Sequence, residues 1–167
     1  MSASPPRLAI YGALHQLAAI HAAQQRDEPA AARLLDIAAR VAAKVGETHH
    51  FRIAFGPTNV AIHRASAAVE LGQTTDAVRL AERIDVDNTP SVERRLTHWL
   101  DLARAYTRNR EDVAAVYMLS RIARESIEEL AQSDAIRETL GELLSRENPA
   151  VRADLRPLAD RAGLLDS

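Results

Sequence analysis

Three times along the chain the same spacing of mostly small apolar residues returns. Ala19, Ala22, Ala31, Leu35 and Ala38 are separated by 3, 9, 4 and 3 positions. Ala65, Ala68, Ala77, Ala81 and Ile84 repeat the series, as do Ala103, Tyr106, Ala115, Leu119 and Ile122. Steps of 3 and 4 hold residues on one face of an α-helix, whereas the step of 9 carries the chain across a turn into a second helix. Small residues on either side of that turn let the two helix axes approach closely. Each copy therefore reads as an antiparallel helical hairpin with its seam marked.

That is the arrangement of a tetratricopeptide repeat. The copies start 46 and then 38 residues apart instead of at a fixed 34, so an irregular α-bundle stays open beside the repeat array. Composition favours helices in either case. Apolar residues make up 47% of the 167 positions but aromatics only 4%, and the apolar share is mostly alanine, the best helix former. Strands would want more aromatic and β-branched residues.

Punctuation sets the element boundaries. Asp27 and Pro29 open a second helix that Gly46 stops. An irregular stretch from Glu47 to Gly56 separates it from a third, which ends at Gly72. Thr89-Pro90-Ser91 opens a fifth helix carrying Trp99 and Tyr106. Ser126-Ile127-Glu128-Glu129 has capping-box spacing, and Asn148-Pro149 is placed to cap a last helix ending at Gly163. The expectation is one all-α, tetratricopeptide-like domain over residues 1–167, a short right-handed α-solenoid of stacked hairpins. Its hairpins fall at about 7–45, 57–84 and 91–124, with C-terminal helices over about 126–163, and the connection between the second and third helices is the longest.

Composition also narrows function. With no cysteine there is neither a disulfide framework nor a thiolate metal site. The N-terminus lacks the pattern of a signal peptide and no window has the run of about 18 apolar residues that a membrane span needs, so a cytoplasmic protein without membrane attachment is expected. Basic and acidic residues number 21 and 23, without the basic surplus on which stand-alone nucleic-acid binding depends. All the basic residues except Lys44 are arginine, which with the alanine excess is the mark of a GC-rich genome. Phosphate-cradling glycine loops, nucleophile elbows and His-Glu-x-x-His are all missing, so catalysis is not expected.

The segment Phe55-Gly56-Pro57-Thr58-Asn59-Val60-Ala61-Ile62-His63-Arg64, followed by Ala68-Val69-Glu70-Leu71-Gly72, resembles a known family. It is similar to the C-terminal effector region of actinobacterial transcriptional regulators whose N-terminal part is an XRE-type helix-turn-helix. Pro90-Ser91-Val92-Glu93-Arg94-Arg95, Leu102-Ala103-Arg104-Ala105-Tyr106 and Leu155-Arg156-Pro157-Leu158-Ala159-Asp160-Arg161-Ala162-Gly163 extend the resemblance over nearly the whole chain. It implies a tetratricopeptide-like sensor domain that controls a DNA-binding domain; a peptide or small-molecule effector, or a protein partner, is the expected ligand, and no cofactor is expected. Met1 stands almost at the first repeat with no helix-turn-helix ahead of it, so direct DNA binding is not expected of these residues.

In stacked hairpins the first helix of each pair lines the concave face. The seam pattern puts Ala13, Gln16 and Ile20 there in the first pair, Asn59, Ile62 and Ser66 in the second, and Thr97, Leu100 and Arg104 in the third. Asn59 can hold a peptide bond, because its amide donates and accepts together; equally, it can close the turn after Gly56-Pro57. Arg104 can take a carboxylate or lie on a solvated face. Trp99 and Tyr106 read as core anchors before ligand-stacking groups. His49-His50, with His63 and His98, lack the helical partner spacing of a metal site, and none is expected. A homodimer or adaptor working through the second helices or the terminal helix is the alternative function.

Overall fold

The computed structural model describes residues 5–48, 54–87, 91–146 and 148–165. Among these residues the chain is all-α. Its helices are α1 (Pro5–Gln24), α2 (Glu28–Val45), α3 (Pro57–Leu71), α4 (Thr74–Ala81), α5 (Val92–Arg108), α6 (Asp112–Glu125), α7 (Ile127–Gln132), α8 (Asp134–Ser145) and α9 (Arg152–Arg161). Two compact units, Met1–Arg94 and Arg95–Ser167, divide the chain inside α5. No described helix is long and apolar enough to cross a membrane.

The ninefold step of the sequence pattern has a hydrogen-bond origin. In all three hairpins a residue one or two positions past the first helix turns left-handed: Arg26 at φ 63°, Gly72 at φ 80° and Arg110 at φ 66°. Each of these donates its N–H three residues back, to Ala23, Val69 and Thr107. The next residue donates five back, from Asp27 to Ala22, Gln73 to Ala68 and Glu111 to Tyr106, all at 2.9 Å. This is the Schellman closure of a helix C-terminus. The same three residues then begin the second helix, their carbonyls accepting from Ala31, Ala77 and Ala115. Five residues back and four forward make the nine that separate the second and third seam positions. All the seam residues are buried except Ala22 and Ile84, which are half-buried.

Other expected punctuation lies where the sequence puts it, with one correction. Asp27 accepts from Ala30 N at 3.0 Å and Ser126 Oγ accepts from Glu129 N at 3.3 Å, each capping its helix. Ser91 Oγ takes Arg94 N at 3.3 Å; Thr89 and Pro90 lie outside the described residues. Asn148 does not cap α9. Its Oδ1 accepts from Ala150 N two residues on, closing a turn, and α9 starts after Val151 with no side-chain cap.

In the first unit α1 packs on α2, and α3 packs on both and on α4. The α2–α3 connection is the longest interval between helices, as expected. It is pinned by an antiparallel bridge in which Thr48 and Phe55 exchange N–H···O bonds of 2.8 and 2.9 Å. The bridge delivers Phe55, fully buried, into a cluster of Ala9, Ala38, Val41, Ala42 and Val60. The tip of its ring meets Gly12 of α1, where a Cβ would come within 2.1 Å of Cζ.

The second unit closes around Leu119, Ile122, Leu130, Ile136, Leu140 and Leu143, all at 0% exposure. Trp99 and Tyr106 are buried as anchors, and the Arg121 guanidinium lies 4.3 Å above the Trp99 ring, a cation–π contact between α6 and α5. Arg95 of α5 pairs with Glu125 of α6. Arg146, just past α8, binds Asp112 and Glu142 at 2.5 Å each and the Thr107 carbonyl at 2.7 Å. It thereby ties the C-terminal helices to the turn of the third hairpin.

Two glycine exchanges with opposite signs check this account. A non-glycine residue in the left-handed region is strained by about 1–2 kcal/mol, so Arg110→Gly should stabilise by roughly 0.5–1 kcal/mol after glycine's own entropy loss. Gly12→Ala, which helix propensity alone would favour by about 1 kcal/mol, should instead destabilise by about 1–3 kcal/mol through overpacking on Phe55. Urea unfolding of the two variants reads both signs.

Candidate functional site

Sequence-predicted positions of the first two hairpins meet in the first unit as a partly buried polar row along α3. Gln16, on α1, is 1% exposed and Asn59, in the first turn of α3, 8%. The Asn59 amide nitrogen donates to Ala54 O at 3.0 Å and to Gln16 Oε1 at 2.9 Å. Because a carbonyl can only accept, the first bond fixes the orientation of the Asn59 amide, and the second then fixes that of Gln16. Asn59 therefore closes the turn before α3 and joins α3 to α1. One turn on, His63 Nδ1 lies 2.9 Å from Asn59 O, so this nitrogen carries the proton. Ser66 Oγ donates to Ile62 O at 3.1 Å, and Ile62 is buried.

Two charged residues that the sequence reading did not select complete the row. Glu47, in the α2–α3 connection, accepts from Thr58 N at 2.7 Å, capping α3 from eleven residues away. Its other oxygen lies 3.4 Å from Arg94 Nη1. Burial pushes the Glu47 carboxyl up, but the bonds from Thr58 and the charge of Arg94 outweigh it and hold the group below its ordinary value. Arg94 has only 7% of its side chain exposed. Its Nε and Nη2 are buried with no hydrogen-bond partner, as is Gln16 Nε2. The only sequence sign of Glu47 was its place in the irregular stretch; Arg94 lay in a segment that carried the resemblance, but nothing marked it as buried.

The third-hairpin positions belong to the second unit. Thr97 is exposed and Leu100 half-buried. Arg104 Nη1 lies 3.8 Å from Asp101 Oδ1, beside a cavity of about 30 Å³ also lined by Thr107, Glu138 and Glu142. Ala13 and Ile20 of α1 are half-buried, with Ile20 packed on the Ala19–Leu35 cluster. His49, His50, Phe51 and Arg52 lie outside the described residues. Among the described residues no group of three or more histidine or acidic side chains is placed to hold a metal ion.

In comparison with known proteins, no family model, curated protein or solved structure matches the chain.

The row has a pH signature. Burial pushes the His63 imidazole below its ordinary value, and the Arg94 charge adds to this against the pull of the Asn59 carbonyl. The unfolded chain then takes up the His63 proton at a higher pH than the folded one. The stability due to neutral His63 is complete above about pH 6.5 and is lost as the pH falls from there through the folded-state value. Melting temperatures of wild type and His63→Gln between pH 8 and pH 5 should diverge in that direction, with the flatter profile in the variant.

Proposed function

We propose that this chain is a non-catalytic sensing module that takes a peptide or small-molecule effector against the first helices of its first two hairpins, α1 and α3. The observation that carries this reading is the buried set Gln16, Asn59 and Arg94, in which Gln16 Nε2 and Arg94 Nε and Nη2 are left as donors that no protein group accepts. Native proteins satisfy nearly all such groups, and a binding site is the usual place where a folded chain leaves a few open. Gln16, Asn59, Ile62 and Ser66 supply the row in the first two hairpins. Thr97, Leu100 and Arg104 are the positions that the seam pattern gives in the third.

The resemblance to the effector region of XRE-type regulators supports the same reading, with the signal passed to a DNA-binding partner and no nucleic acid bound by this chain. A formal charge of −2 agrees with that division of labour, in a cytoplasmic setting.

A second reading, an adaptor or homodimer, has its own support in α1. Tyr11, Leu14 and Leu17 are 49%, 58% and 63% exposed on a helix whose only charged side chain among the four acidic and basic types is Arg7. A helix apolar on all sides normally has both faces covered.

Native mass spectrometry of the chain purified from cell extract separates the two. The sensing reading expects a retained small molecule or peptide on a single copy, released when Asn59 is replaced by alanine. A dimer that carries no ligand and dissociates in Leu14→Glu would replace it with the adaptor.

A further inference from the structure

The open donors of the first unit define what can fill them. Among its described residues, the buried side-chain atoms without a partner are Gln16 Nε2, Arg94 Nε and Arg94 Nη2, and all three are donors. The arrangement therefore calls for a guest that accepts and does not donate. A neutral water accepts from such donors but brings no charge to face the guanidinium. An ionised carboxylate is acceptor-only, with two oxygens and about four lone-pair sites.

The geometry of Arg94 narrows this further. Its Nη1 faces Glu47, so one end of the guanidinium already has its anion. The Nε and Nη2 hydrogens point in parallel from the opposite side of the same plane, the fork that meets both oxygens of a carboxylate at once. Glu47 cannot fill that fork, because its oxygens are engaged by Thr58 N and Arg94 Nη1. A phosphate dianion would bring two negative charges next to the Glu47 carboxylate, whereas a carboxylate brings one and lies flat in the guanidinium plane.

We propose that the Nε–Nη2 edge of Arg94 receives the carboxylate of the ligand that the first unit takes, with the Gln16 amide as a further donor on the same row. This rests on the reading of the chain as a ligand-sensing module. A buried guanidinium with two unmet donors is costly, so filling the fork also stabilises the folded chain, by RT ln(1 + L/Kd) at free ligand concentration L.

The test follows the Arg94 Nε–Hε resonance of the full chain by nitrogen-correlated NMR, assigned by its loss in Arg94→Lys. The probes are sodium acetate, 3-phenylpropionate, the matching amides and inorganic phosphate. The expected result is a saturable downfield shift with a carboxylate, none with its amide, and a rise in melting temperature whose concentration dependence gives the same Kd. That melting shift should weaken by about tenfold in apparent affinity or more in Arg94→Lys. A shift with phosphate and not with carboxylates overturns the ligand class. No saturable shift with either carboxylate, or a melting shift that survives Arg94→Lys unchanged, overturns the site. A ligand found by native mass spectrometry that lacks a carboxylate and still binds Arg94→Lys would overturn this inference while leaving the sensing function standing. A saturable carboxylate shift without any retained cellular ligand would do the reverse.

Discussion

A helix that ends must do something with its last carbonyls, and this chain meets the problem the same way three times. At Arg26, Gly72 and Arg110 the backbone turns left-handed, the following N–H reaches five residues back, and the residue carrying it becomes the start of the next helix. That one turn fixes the distance between the last small residue of the first helix and the first alanine of the second. Once it is set, the alanines of both helices face each other and the hairpin closes with little side-chain volume between its axes. Two of the three turns accept arginine in a conformation that suits glycine, which measures how strongly the hairpins on either side impose it.

The rest of the first unit is built on that frame by a ring and a row. Phe55, delivered by the Thr48–Phe55 bridge, occupies the space that Gly12 leaves open between α1, α2 and α3. With the connection held there, Glu47 reaches the N-terminus of α3 and Asn59 reaches Gln16. Arg94 joins through Glu47. Apolar packing thus determines where a small set of polar groups is buried, and those groups in turn decide what chemistry the interior will accept.

Much of the fold was legible because helix ends and seams are local. The step of nine, Asp27, Gly46, Gly72 and Ser126 each act through neighbours within a turn or two, and the helices fall where those residues put them. The Gln16 and Asn59 positions were legible through periodicity, although their bond to each other, across 43 residues, was not. Gly12 was a lone glycine in a helical run, a sign of close packing whose partner only the fold could supply. Arg94 and Glu47 were hidden for a different reason: a charged residue is usually exposed, which Arg94 is not, and no spacing rule relates two residues 47 positions apart. Asn148 misled because an asparagine before proline reads as a cap, whereas here its side chain closes its own turn and donates to Asp112.

The claim that the same turn closes every hairpin is tested most directly at three amides, those of Asp27, Gln73 and Glu111. Each donates the five-residue bond at 2.9 Å. Hydrogen exchange followed by NMR should find all three protected as strongly as the mid-helix amides of their own hairpins, because the bond opens only when the hairpin does. Exchange at the rate of free peptide at any of them, with the flanking helices still protected, would show that the turn does not hold that hairpin closed and would contradict the account.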